Sequence, residues 1–173
     1  MQTGSAVEMP WLKKVDAVLE TWYPGEQQGP ALVNVLFGAV NPSGKLPMTF
    51  PKSLADVPTQ SDAQYPGIFS DGSTTRPAGT SEIRQVDYSE ELKVGYRWYE
   101  AEDIDPLFEF GYGLSYTSFK YSGLTATPLV NSRGKRDLRL TVRVTNTGRV
   151  SGTETVQAYV QLPSAAKEPA KRL

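Results

Sequence analysis

Three stretches of the chain alternate their side chains with a period of two: "FKYSGLTAT" (119–127), "DLRLTVRVTNTG" (137–148) and "GTETVQAYVQLP" (152–163). Together they are rich in Thr and Val, and they are separated by turn residues, Asn131-Ser132-Arg133-Gly134 and Asn146-Thr147-Gly148. In the middle run Leu138, Leu140, Val142 and Val144 share one face, while Arg139, Thr141 and Arg143 share the other. This pattern predicts the opening strands of an antiparallel β-sandwich. A sandwich of that class uses about seven strands, whereas the sequence given stops at "EPAKRL" after the third run. The expectation is an incomplete all-β sandwich whose open sheet edges favour self-association, with association or disorder beyond Tyr121.

The stretch before these runs reads differently. In "PWLKKVDAVLE" (10–20) the residues Leu12, Val15, Val18 and Leu19 stand at helical spacing, which predicts an amphipathic helix; "AVLETWYP" (17–24) also suits a short strand ending at Pro24. A second helix is expected in "GEQQGPALVNVLFG" (25–38), with Ala31, Leu32, Val35 and Leu36 as its apolar stripe and Gly38 as its stop. A turn over 41–44 and an extended segment over 46–50 follow in "NPSGKLPMTFP". Helix, turn and strand in that order predict an α/β layer. Residues 52–87 are polar and show no sustained period, so they read as a long surface excursion that buries too little to order itself. The pattern resumes where Val94, Tyr96 and Trp98 alternate with Gly95, Arg97 and Tyr99, which predicts a strand.

Composition narrows the chemistry. The 173 residues suffice for one medium domain or two small ones. With 18 Lys plus Arg against 19 Asp plus Glu the net charge is −1, and basic residues cluster only at Arg133, Lys135 and Arg136 and at Lys167, Lys171 and Arg172. Nucleic acid is therefore not an expected partner. No run approaches the roughly 18 apolar residues of a membrane span, so no membrane partner is expected either. "MQTGSAVEMPWL" has neither the basic start nor the apolar centre of an export signal, if Met1 is the native start. Cys and His are both absent, which leaves carboxylates, Tyr, Lys and hydroxyls as acid, base or nucleophile and removes thiolate and imidazole metal sites.

Among those groups, Glu100, Glu102, Asp103, Asp105 and Glu109 form a local acidic cluster. It has the composition of an acid/base pair or a weak calcium loop, and equally that of a solvated loop before Pro106, which is what such charge runs usually are. Glu26 reads as a first-turn acid favoured by the helix dipole rather than as a chemical group. "NPSGKLP" lacks the spacing of a phosphate loop and reads as a turn. Trp11, Trp22, Trp98, Tyr23, Tyr96 and Tyr99 offer ring faces for sugar stacking, although large aromatics at strand spacing more often serve a core.

Four segments carry more than pattern: "WYPGEQQGPALVNVLFGAVNPSGKLPMTFP" (22–51), "VGYRWYE" (94–100), "PLFEFGYGLSYTSF" (106–119) and "VTNTGRVSGTETVQAYV" (144–160). In order and spacing they resemble glycoside hydrolase family 3 β-glucosidases. The resemblance covers nearly the whole chain apart from 52–87. It implies the C-terminal part of an α/β sandwich domain over 1–116, then the first strands of a fibronectin type III-like domain, related to immunoglobulin sandwiches, over 117–173. Phe108, Phe110, Tyr112 and Tyr116 would pack the domain junction, with Gly111 and Gly113 letting the backbone bend and approach closely. Many relatives carry His where this sequence has Tyr112.

The resemblance also implies what lies elsewhere. Retaining glycosidases use a nucleophile and an acid/base, which in this family lie on an N-terminal barrel and upstream in the second domain. No position of this chain matches either motif, so no catalytic residue, cofactor site or metal site is assigned. The full-length enzyme would remove terminal glucose, or xylose, from a β-linked oligosaccharide or aryl glucoside, and this chain alone would be inactive. Two alternatives are a non-catalytic carbohydrate-binding or interaction module, and one half of a split enzyme completed by a separate barrel chain. Last in order stands a new active site formed by the cluster from Glu100 to Glu109, which replacement of Glu100 and Glu102 together by Gln would abolish. Family members are cytoplasmic, periplasmic or secreted, which leaves the compartment open.

Overall fold

The computed structural model describes residues 1–130, 134, 136–169 and 171–173. Of the turn expected at 131–134 only Gly134 falls among them, and Arg133 and Lys135 lie outside the described residues. Among the described residues the secondary structure is sparse and mixed: two α-helices, α1 (Gln28–Leu36) and α2 (Tyr96–Ala101), and two two-stranded antiparallel sheets. One sheet pairs β1 (Phe119–Val130) with β2 (Arg136–Asn146), the other β3 (Val160–Gln161) with β4 (Lys171–Arg172). The described residues contain no helix long and apolar enough to cross a membrane. The chain forms two units that interleave in sequence.

The first unit comprises Met1–Pro24, Leu46–Tyr112 and Gln157–Leu173. Its centre is Phe50, whose side chain has no exposed surface. The Phe50 ring lies 6.1 Å from Trp22 and 6.4 Å from Phe108, the latter edge to face. The expected extended segment 46–50 is held against 107–112: Phe50 N–H donates to the Phe108 carbonyl (2.8 Å), Leu46 N–H to that of Tyr112 (2.8 Å), and Gly111 N–H to that of Leu46 (2.7 Å). Pro47 and Pro51 have no N–H to offer, so this pairing is an isolated bridge rather than a ladder.

Three expectations for this unit are corrected. The helix expected at 10–20 shrinks to a 3₁₀ turn, Leu12–Lys14, which ends as Val15 turns extended (φ −131°, ψ 149°). Beyond it, the Leu19 carbonyl accepts from the Met1 ammonium (2.6 Å), and Thr21 N–H donates to the Met1 carbonyl (3.0 Å). A short amphipathic stretch forms a helix only when packing rewards it, and here those backbone groups are committed to Met1 instead. The strand expected at 94–99 is the helix α2. Gly95, at φ 59°, turns the chain into it, and the side chains that pack, Tyr96 and Tyr99, stand three apart rather than two.

The excursion at 52–87, mostly exposed, is nevertheless built. Ser53 and Asp56 form a capping box over the 3₁₀ turn Leu54–Asp56. Ile68 and Gln85 pair as a bridge. Glu82 accepts from Ser70 N–H (2.6 Å) and Oγ (3.1 Å), and the Arg84 guanidinium lies 5.6 Å from the centre of the buried Phe69 ring. Composition weighs apolar burial, whereas here one ring and a set of side-chain to backbone hydrogen bonds do the ordering.

The second unit comprises Gly25–Lys45 and Gly113–Val156. Helix α1 forms where expected and ends at Gly38 (φ 76°). Glu26 precedes the N-cap residue Gln27, so it is not the first-turn acid the sequence suggested. β1 and β2 pair in register from Phe119 with Asn146 to Val130 with Arg136, with a bulge between Ser122 and Thr125, and the turn at 146–148 closes through Gly148 N–H to Asn146 Oδ1 (3.0 Å). The third period-two run adds no strand to this sheet: of its residues only Val160 and Gln161 pair, and they pair with β4 in the first unit. Side-chain contacts hold its start instead. Glu154 forms a largely buried ion pair with Lys45 (3.3 Å), whose ammonium also donates to the Gly113 carbonyl (2.7 Å). None of the described residues of this unit is buried.

Two outcomes follow from this distribution of burial. Phe50→Ala will destabilise the first unit by about 3–5 kcal/mol in urea unfolding, whereas Leu140→Ala, at a side chain already 44% exposed, will stay within about 0.5 kcal/mol. The Tyr99 hydroxyl is buried without a hydrogen-bond partner, so Tyr99→Phe will stabilise by about 1 kcal/mol at neutral pH. Burial, helped by the Asp56 carboxylate, raises the Tyr99 phenol above its usual range. An unfolded chain therefore ionises this group first: the stability the fold has below pH of about 10 is undiminished by this group's titration, and part of it is lost as pH rises through the folded value. Urea midpoints measured from neutral to alkaline pH will fall less steeply in Tyr99→Phe.

Candidate functional site

The acidic cluster singled out by the sequence lies on α2 and the segment after it, and most of it borders a cleft of about 630 Å³ in the first unit. Helix α2 presents Tyr96 and Tyr99 to this cleft, and the chain then turns at Asp103 (φ 55°), where Ile104 N–H donates to the Tyr99 carbonyl (2.9 Å). Beyond that turn Asp105, Glu109 and Phe110 also line the cleft. The Tyr96 ring lies 5.5 Å from Phe110 and 5.6 Å edge-on from Tyr159. Thr49, beside the buried Phe50, and Tyr99 also line the cleft; the two are 8% and 6% exposed, and neither hydroxyl has a hydrogen-bond partner.

The carboxylates are not arranged as an acid/base pair. Glu100 accepts from the Lys171 ammonium, and Glu102, the C-cap residue of α2, accepts from Lys93 (2.7 Å). Two positions apart at the end of a helix, they point to different sides. The hydrogen bond and charge of Glu100 raise the Lys171 ammonium above its usual range, and burial raises the Tyr159 phenol. Among the described residues no three acidic side chains converge closely enough to hold a metal ion. The arrangement suits binding through rings and polar groups rather than proton transfer.

The other residues singled out by the sequence are dispersed. Phe108 pairs with Phe50 and its ring stands 5.0 Å from Tyr112; Phe110 packs on Tyr96; Gly111 (φ 81°) has the Gln157 side chain where a Cβ would go. These four belong to the first unit. In the second, a Cβ on Gly113 would overlap the Gly44 carbonyl, and the Tyr116 hydroxyl donates to the Val35 carbonyl (2.7 Å). The six aromatics form no single sugar-stacking surface: Trp22 packs on Phe50, Trp98 donates to the Asp56 carbonyl (2.8 Å), Tyr99 is buried and Tyr23 is 79% exposed. Sequence reasoning missed Gln157, Tyr159 and Lys171 at the cleft. Lys171 lies 71 positions from Glu100, and no local pattern reports so distant a contact.

Comparison with known proteins agrees with this mixture of elements. The model of the glycosyl hydrolase family 3 C-terminal domain matches residues 1–116. A β-glucosidase of Rhizobium radiobacter is 45% identical over 178 residues, an alignment that takes in 100% of this chain and 20% of that protein. Among solved structures, a Bifidobacterium adolescentis family 3 β-glucosidase superposes with a TM-score of 0.80 at 36% identity, covering 98% of this chain and 23% of its own. β-Glucosidase 3B of Thermotoga neapolitana, solved with glucose, gives 0.79 at 36% identity over 96% of this chain and 21% of its own. The chain thus spans about a fifth of the length of the relatives it matches. It belongs to glycoside hydrolase family 3, and its residues 1–116 match the C-terminal domain of that family.

Proposed function

We propose that this chain is the C-terminal portion of a β-glucosidase-like retaining exo-glycosidase: the end of an α/β sandwich domain over 1–116, then the opening strands of a fibronectin type III-like domain over 117–173. The observation that carries this reading is the 45% identity to a β-glucosidase across the entire chain. Retaining hydrolysis of a β-glucoside needs two carboxyl groups about 5 Å apart, one as nucleophile and one as acid/base. Glu100 and Glu102, each paired with a lysine, do not supply them. In this reading a barrel, in the same polypeptide or as a separate chain, contributes the nucleophile, and the substrate is a β-linked oligosaccharide or an aryl β-glucoside. The contribution of this chain is architectural. Phe108, Phe110, Gly111, Tyr112, Gly113 and Tyr116 pack the passage from one domain to the next, supported by the lack of room for a Cβ at Gly111 and Gly113.

Two measurements test this. The purified 173-residue chain will not hydrolyse an aryl β-glucoside, and a Glu100→Gln, Glu102→Gln variant will behave identically; turnover lost in that variant would place an active site at the cleft and overturn the reading. The chain will also self-associate through its open sheet edges, since Leu138, Leu140 and Val144 remain uncovered on one face of β2. Sedimentation velocity will show species growing with concentration, whereas a monomer at all concentrations would show the edges to be blunted.

A further inference from the structure

We propose that copies of this chain associate head to tail, the basic face of the β1–β2 hairpin in one copy docking on the acidic first unit of the next. The glycosidase reading is not used; the inference starts from charge. A net charge of −1 conceals a segregation. The segments of the first unit hold ten Lys and Arg against 16 Asp and Glu, a balance of −6, and those of the second hold eight against three, a balance of +5. Much of that positive charge lies on one sheet face. Side chains alternate along a strand and directly paired residues share a face. Lys120 is paired with Thr145, Ser122 with Arg143 and Thr127 with Arg139. Lys120, Arg139 and Arg143 therefore stand together, opposite the apolar face of Leu138, Leu140 and Val144. All three are exposed, and among the described residues none forms an ion pair. Arg139 and Arg143 are about 13 Å apart along the strand. Asp137, at the far end, is the one carboxylate of this face among the described residues.

The first unit supplies the complement. Asp103, Asp105 and Glu109 are exposed, and unlike Glu100 and Glu102 none of them has a lysine partner among the described residues. A foreign acidic partner would have to be brought to the hairpin, whereas every second copy carries the matching charge in near-equal measure. Complementary fields speed the encounter and select which surfaces meet, a choice that the open edges and apolar face of β2 do not make by themselves. Two unlike surfaces in contact give a heterologous interface, which propagates where its rotation does not close a ring. Exposed ion pairs are individually weak and screened by salt, so this association is weak and salt-sensitive.

Sedimentation velocity of the 173-residue chain at about 0.1 M and about 1 M NaCl tests the proposal, since the Debye length falls between them from about 10 Å to about 3 Å. Salt will weaken the association about tenfold. At the lower salt, Arg139→Glu with Arg143→Glu will weaken it by a similar factor, as will Asp105→Lys with Glu109→Lys; all four positions are exposed, and urea midpoints will stay unchanged. An equimolar mixture of the two double variants will associate again, because each supplies the surface the other has reversed. Association that salt leaves unchanged or strengthens, that neither double variant touches, or that mixing does not restore overturns the proposal and leaves the sheet edges as its cause. So does a chain that stays monomeric at about 0.1 M NaCl yet binds poly-L-glutamate, which would make the hairpin face a site for a foreign acidic partner. These failures leave the family membership and the hydrolysis test standing, and hydrolysis by the isolated chain would overturn the architectural role without touching the association result.

Discussion

Burial of the Phe50 ring is the interaction on which the first unit depends. Three stretches meet there: Trp22 from the first segment, Phe50 from the extended run and Phe108 from the run it pairs with. Phe50 also commits its backbone, donating to Phe108 and accepting from Leu107 (2.9 Å). One residue thus fixes both the ring packing and the backbone register of the segment leading to Phe110 and Gly111. Its neighbour Thr49 faces the cleft because alternate side chains of an extended run take opposite sides. The position of the cleft wall is therefore a by-product of core packing.

The second unit is held differently. With no buried apolar side chain among its described residues, it relies on two polar hubs. Asn41 Oδ1 accepts from Tyr116 N–H (2.8 Å) and Ser115 Oγ (3.0 Å), while its amide donates to the Ser151 carbonyl (3.0 Å). Lys45 ties Gly113 to Glu154. Hydrogen bonds of this kind fix geometry but contribute about 1 kcal/mol each, so the unit is specific in its connections and poor in driving force.

Sequence reasoning succeeded where a local pattern and the packing agree. Helix α1 has both a stripe and a stop at Gly38, and β1 and β2 form on the first two period-two runs. It failed where a few residues answer to distant partners. "GYRWYE" alternates like a strand, yet Tyr99 is buried and Trp98 bonds to Asp56, 42 positions away. "PWLKKVDAVLE" has helical spacing, but Leu19 and Thr21 are claimed by Met1. The family was legible from four segments in register. The acidic side of the candidate site was legible as a charge run, but its far wall, Gln157, Tyr159 and Lys171, was invisible because only tertiary contacts bring it there.

The interleaving of the two units also governs the order in which they can form. Every residue of the second unit has been synthesised once Val156 is made, whereas the first unit still waits for 157–173. Synthesis adds about 5–20 residues per second, and a hairpin such as β1 with β2 closes in about 1–10 μs. During synthesis the hairpin can therefore pair while Met1–Pro24 and Leu46–Tyr112 still lack their third segment. Tyr159 and Lys171, at the edge of the cleft, follow its other lining residues in the sequence, so that wall is completed only after the hairpin can have paired.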